Sequence, residues 1–267
     1  MKFQLKALVA ALALVAAVPA HAAIDTTASG NGSMILTVLD LVSNVSAAFD
    51  LGKNYSDFNM VAAAGTVSNV TASGTTFSWD LAGNADYSTA WSTFLAASAS
   101  DANIKYAITA GDNLGAGAGS RGYIATYAGA GASTTSLAVI TAVGNFDTYT
   151  NNLAVVAGSN TNTVANGSAF QTPATIFYGS NKNNGTGPLT TGALGTTLGV
   201  IQSVTSASSL TPVSNTIFGN GASFNLASNG ALVYSTNAIT PIPEADTWAM
   251  MLLGLGFMGF VARRKQA

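Results

Sequence analysis

Apolar and polar positions alternate along much of the chain with the period of a β-strand. Thr76-Phe77-Ser78-Trp79-Asp80-Leu81 alternates strictly, which puts Phe77, Trp79 and Leu81 on one face. Met34 to Leu39, Val45 to Leu51, Ile104 to Thr109 and Gly122 to Tyr127 are apolar or alternating runs. Gly, Asn and Asp bound them, as they bound strands generally. Phe224 to Leu226 and Ala231 to Tyr234 flank Asn229-Gly230. Asn-Gly suits a two-residue type I′ turn, which would set Leu226 opposite Val233. Two stretches switch to helical spacing. Tyr87, Ala90, Trp91, Phe94 and Leu95 form one stripe, with Asp86 placed to cap it. Phe146, Tyr149, Leu153 and Val156 form a weaker one behind Asn145. Gly111 to Gly122 and Gly179 to Gly199 read as Gly/Asn/Thr-rich loops. No long-period repeat is visible. The pattern predicts a mainly β body, a β-sandwich with one or two short helices.

Both ends break that pattern. Lys2 and Lys6 precede an apolar run from Ala7 to Val18, then Pro19 and Ala20-His21-Ala22. This is the order of a secretory signal peptide, residues 1–22, with Ala20 and Ala22 as the small residues of the signal peptidase site. The apolar run is too short for a bilayer, which needs about 20 residues. At the other end Trp248 to Ala262 carries no charge, and Arg263-Arg264-Lys265 follows at once. The apolar stretch predicts a single transmembrane helix over 248–262. At 1.5 Å per residue it is about 22 Å long, so interfacial Trp248 and snorkelling arginines must complete the span. The basic cluster stays on the cytoplasmic side, leaving the body, residues 23–240, outside.

Pro243-Glu244-Ala245, then Trp248, a Gly-rich apolar run, and Arg263-Arg264 together resemble the PEP-CTERM sorting domain of Gram-negative bacteria. The resemblance covers residues 241–267, and Ala245 stands where the motif has its second proline. It implies an exosortase-type processing enzyme as partner and a transient stay in the inner membrane. It also implies release to the cell surface, outer envelope or medium, linked to exopolysaccharide or biofilm. Gly254, Gly256 and Gly259 mimic a dinucleotide fingerprint, but the chain supplies no acid about 20 residues further on. They read as small-residue packing surface in a membrane helix.

Composition narrows what the body can do. Charged residues are 7% of the chain, against roughly 25% in ordinary domains, and there is no cysteine. Disulfides, thiolate metal sites and cysteine nucleophiles are therefore excluded. Between the two ends, Lys53, Lys105, Arg121 and Lys182 face nine aspartates. That negative balance repels phosphate backbones, so nucleic acid is not an expected partner.

The chain's one histidine, His21, lies in the signal segment, and its one glutamate, Glu244, in the sorting motif. A Ser-His-Asp triad and a histidine-bound metal are thus unavailable to the mature body. Asp50 with Asp57 and Asp80 with Asp86 are the pairs an aspartate-only hydrolase would use, though turn-capping explains them as well. Asp101-x-Asn103 and Asp112-Asn113 offer oxygen ligands for calcium, without the closing Glu of an EF-hand. The expectation is a non-enzymatic envelope or extracellular matrix protein without a cofactor. The alternative is a carbohydrate- or calcium-binding adhesive module, in which exposed aromatic rings would stack on sugars.

Overall fold

A computed structural model describes residues 24–25, 27–115, 118–128, 136–155, 162–163, 167–172, 191–206 and 214–236. The strands are β1 (Ser33–Asp40), β2 (Val45–Asn54), β3 (Thr76–Asp80), β4 (Ile104–Asp112) and β5 (Gly122–Tyr127). They continue with β6 (Asn162–Thr163), β7 (Ser168–Gln171), β8 (Gly192–Ala193), β9 (Thr197–Val204), β10 (Ser214–Ile217), β11 (Ser223–Leu226) and β12 (Ala231–Ser235). Helix α1 spans Ser88–Ala97 and α2 spans Ser136–Val155.

The mainly β expectation holds, but the sandwich does not. Among the described residues all twelve strands belong to one sheet, ordered β3-β12-β11-β9-β5-β4-β1-β2-β7-β6, with β10 added on β9 and β8 on β4. Every pairing is antiparallel. The sheet stays whole because β9 has no free edge at its centre. It pairs with β5 along one side, and along the other with β11 at 197–199 and β10 at 201–204.

Instead of splitting, the sheet curls. The Trp79 indole N–H on β3 donates to the Leu51 carbonyl on β2 (2.8 Å), joining strands near its opposite ends. Tyr106 on β4 donates to the Phe224 carbonyl on β11 (3.0 Å) across the same interior. Inside lies an aromatic core that includes Phe49, Phe58, Trp79, Trp91, Phe94, Phe224 and Tyr234. Helix α1 covers the part of this core over β2 with Tyr87, Ala90, Trp91 and Phe94, the stripe its spacing predicts.

The outer face carries a second core under α2. It joins Ile35, Leu39, Ala48, Ala107, Tyr123 and Ala125 of the strands to Val139, Ala142, Val143, Phe146, Tyr149 and Leu153 of the helix. β1 is therefore buried on both faces. This is why Met34 to Leu39 reads as an almost unbroken apolar run rather than an alternation.

Local expectations shift in four places. The β11–β12 hairpin closes through a three-residue loop, Ser228 to Gly230, with Gly230 N–H donating to the Ala227 carbonyl. Gly230 alone takes positive φ (+88°), a type I turn with a G1 bulge rather than the two-residue type I′ turn. The register then sets Leu226 against Leu232 and Phe224 against Tyr234, all buried, whereas Val233 is only half-buried. Burial of four large side chains on one face decides between the registers.

Helix α1 is not capped by Asp86. Tyr87 is the N-cap without a side-chain bond, and Asn84 organises the turn: its side chain accepts from Asp86 N–H and its carbonyl from Tyr87 and Ser88. Helix α2 begins ten residues before the expected Phe146, so Asn145 lies in its interior rather than at its start. Its first half is rich in Ala and Val and contains Gly144, which hides the periodicity. The Gly179 to Gly199 loop gives way at its end to β8 and the start of β9, and its residues 179–190 lie outside the described ones.

The long connection from Tyr55 to Thr75 runs beneath the strand ends. Tyr55 N–H bonds the Gly32 carbonyl, and Gly119 sits against Ala63. Tyr234 donates to the Val70 carbonyl, Asn220 to that of Thr71, and Thr236 N–H to that of Thr75. Its anchor is Gln202 of β9, fully buried. The Gln202 amide donates to Tyr55 Oη (2.6 Å) and Asn59 Oδ1 (2.7 Å) and accepts from Met60 N–H (2.6 Å). Gly122 leaves room for the Tyr55 phenol; a Cβ there would stand 1.8 Å from the hydroxyl.

Candidate functional site

The nine aspartates of the body are the groups from which chemistry would have to be built, and the backbone uses most of them. Asp80 Oδ1 accepts Ala82 and Gly83 N–H, an Asx turn. Asp57 accepts Asn54 N–H in a capping box. Asp147 on α2 accepts Thr27 Oγ1–H and Ala28 N–H, tying the helix to the segment before β1. Asp40 receives Val42 N–H, Ser43 N–H and Oγ–H, and Ala99 N–H. Burial acts to raise its pKa, but these donors outweigh it and hold the carboxyl below its ordinary value. The proposed pairs thus serve separate turns: Asp57 and Asp80 each close their own, and Asp86 is engaged through its backbone with Asn84 and Ser168.

Asp50 differs. It is buried on the outer face, opposite Ile35, and its pKa is pushed up to about 6, first by desolvation and secondarily by the charge of Asp25. Ser33 Oγ–H donates to Asp50 Oδ2 (2.7 Å) and Gly52 N–H to Oδ1 (2.8 Å). The Ser33 hydroxyl in turn accepts Asp25 N–H (2.9 Å), so both its roles are filled and it is not poised as a nucleophile. Alternation placed Asp50 on the face opposite Phe49. The apolar run of β1 was the signal that this second face is covered too.

The two calcium candidates lie at opposite ends of β4, whose nine residues span about 30 Å. They cannot form one site. Asp101 sits in an exposed 3₁₀ turn capped by Ser100. Asp112 spends Oδ1 on Leu114 N–H, and desolvation raises its pKa. Among the described residues no three His, Cys, Asp or Glu side chains group as metal ligands.

Aromatic rings, which a sugar-binding groove would display, are drawn inward. Among the described residues every aromatic ring is buried except Phe77 and Tyr127, which are half-buried. Phe58 packs against Phe77, Phe218, Phe224 and Tyr234 with centroids 5.1–6.4 Å apart. Lys53 lies 4.9 Å over the Phe77 ring.

The residues expected to direct the chain, Ala20, Ala22, Pro243, Glu244, Ala245, Trp248, Arg263 and Arg264, lie outside the described ones, as does the expected span 248–262. Among the described residues no helix is long and apolar enough to cross a membrane. Comparison with family models settles the tail: the model described as the PEP-CTERM protein-sorting motif matches residues 241–265. The chain carries a PEP-CTERM sorting signal. The match starts at Pro241, where the sequence resemblance starts, and includes Pro243-Glu244 and the Arg263-Arg264-Lys265 cluster. A PEP-CTERM signal marks an exported protein that passes the membrane and is sorted by an exosortase. Comparison with curated proteins gives no match, and comparison with solved structures gives none.

Proposed function

We propose that this protein is a non-enzymatic structural component of the cell envelope or extracellular matrix, delivered by its PEP-CTERM tail and associated with exopolysaccharide or biofilm. The observation that carries the reading is how the described body uses its functional groups. Its aromatic rings fill the core, and most of its aspartates hold turns and caps, rather than lining a cleft. A polar but sparsely charged surface of Ser, Thr, Asn and Gly suits contact with hydrated polysaccharide and with other matrix proteins.

In this reading the tail acts in sequence. The apolar 248–262 segment enters the inner membrane, and burial of its surface stabilises the inserted state at about 25 cal/mol per Å². Arg263 and Arg264 cross only at high cost, so they hold the end of the tail on the cytoplasmic side. Pro243-Glu244 is then left at the outer face, where Pro241 and Pro243 keep the chain out of the helix for the processing enzyme.

Fractionation tests this. Mass spectrometry of the surface or medium form should give a C-terminus close to Pro243, with Ala23 at the other end. Glu244→Ala should deplete the surface form and accumulate full-length protein in the inner membrane. Surface protein that retains Trp248 to Arg264 would make the tail an anchor. Loss of a robust hydrolytic activity on a single Asp→Asn change would replace the structural role with an enzymatic one.

A further inference from the structure

Ser46 and Gln171 face each other across the β2–β7 pair, next to Leu39 of β1 in the same row. They lie on the outer face of the sheet, the side that places Ala48 and Ala169 in the core under α2. Each is 1% exposed. Yet Ser46 Oγ, Gln171 Oε1 and Gln171 Nε2 are all buried without a hydrogen-bond partner. Gln202, by contrast, is equally buried and makes three bonds. A buried polar atom left unpaired lowers the folding equilibrium constant by about tenfold or more. Three of them meeting at one register position mean that something polar completes the set.

We propose that Ser46 and Gln171 hold one internal water molecule. A carboxamide offers a cis N–H and C=O side by side, and a single water can close a ring with both. It accepts from Gln171 Nε2 and donates one hydrogen to Gln171 Oε1. Its second hydrogen goes to Ser46 Oγ, so all three unpaired atoms are satisfied at once. Three polar partners are the usual complement of a buried water. The ligand is water rather than a larger polar molecule because both side chains are sealed from solvent. It is not a cation, because the amide and hydroxyl carry no charge to offset one. Ser98 Oγ and Asn113 Oδ1 are also unpaired, but each is a single atom and offers no comparable cradle.

The test uses the exported protein as purified. A crystal structure that resolves ordered water should show one within hydrogen-bond distance of Ser46 Oγ and both amide atoms of Gln171. In solution, the Gln171 side-chain amide protons should give water cross-peaks of the sign that marks long residence. Ser46→Ala should weaken those peaks while leaving the amide resonances dispersed. The double change Ser46→Ala with Gln171→Leu should melt no lower than the parent, since it removes the polar atoms together with the water. A direct Ser46–Gln171 hydrogen bond with no water between them would overturn the proposal. So would a Gln171 amide that contacts only freely exchanging solvent.

Discussion

The two faces of the sheet are built differently. The inner face is closed by aromatic rings: Phe58, Phe77, Phe224 and Tyr234 form a continuous cluster, extended by Trp79, and the buried amide beside it is fully bonded. The outer face, under α2, is built on small side chains such as Ala48, Ala107, Ala125, Ala142 and Ala169. It also buries polar groups, among them Ser33, Thr37, Ser46, Asp50 and Gln171. Thr37 and Tyr149 share a hydrogen bond (3.0 Å) where the helix meets the sheet. A body without disulfides concentrates its apolar stabilisation on one side and uses polar bonds to fix the position of a helix on the other.

The largest effect should come from removing an inner ring. Phe58→Ala should cost about 3–5 kcal/mol in urea unfolding, because four neighbouring rings lose a partner and the curled sheet cannot collapse to fill the gap. Phe146→Ala under α2 should cost less, since that face is made of smaller groups. Equal losses would erase the distinction between the faces. Next comes the Gln202 anchor. Gln202→Leu strands Tyr55 Oη and Met60 N–H, leaves Asn59 Oδ1 with Val61 N–H alone, and should cost about 2–4 kcal/mol. Hydrogen exchange should quicken over residues 55–75 before it quickens in β1. Uniform loosening would show that this connection is not a separate closure of the strand ends.

What the sequence made legible follows the same division. The inner-face strands declare themselves by alternation and large aromatics, and so does the stripe of α1. Helix α2 is half hidden, because the Ala residues and Gly144 of its first half give little contrast between its faces. The start of β9 reads as loop in the sequence, because Thr197 and Gly199 resemble the glycine-rich stretch before them. The single curled sheet was not legible either: whether β9 continues to β11 or ends a layer depends on long-range pairing, which local pattern does not encode. Among the site residues, the tail was fully legible as a motif. Asp50 was not, because one aspartate in an alternating strand looks solvent-facing until its second face is known to be covered.

The outer face should also respond to pH. Asp50 rises from an ordinary value near 3.8 to about 6 in the fold, so the folded state holds its proton more tightly than the unfolded chain does. The stability this provides is fully present below about pH 4 and is lost as pH rises through 6. Relative to pH 4 the loss is about 2 kcal/mol by pH 8. Asp40, held below its ordinary value, works in the opposite direction, and its contribution fades only in stronger acid. Asp50→Asn should flatten the fall between pH 4 and 8 and raise stability at pH 8. A parent curve already flat there would mean that Asp50 is solvated and the outer face open.

The smallest expected change tests a turn that belongs to neither helix. Gly230 holds φ +88° at the G1 position of the β11–β12 hairpin, where an L-residue is strained. A Cβ there would also come 2.9 Å from Trp91 Nε1 and 3.2 Å from Ala82 N. Gly230→Ala should therefore cost about 1–2 kcal/mol, the conformational penalty plus a small displacement of the Trp91 ring. Asn229→Ala should cost less, because Asn229 has no positive φ to maintain; its side chain only accepts Ala231 N–H (3.0 Å). That ordering separates the two possible turns. A two-residue type I′ loop needs positive φ at both positions and would make the two substitutions comparable. If thermal melts show Asn229→Ala as damaging as Gly230→Ala, the hairpin is in the other register. Leu226 would then oppose Val233, and the inner face would lose the four-residue contact of Phe224, Leu226, Leu232 and Tyr234 that closes its β11–β12 side.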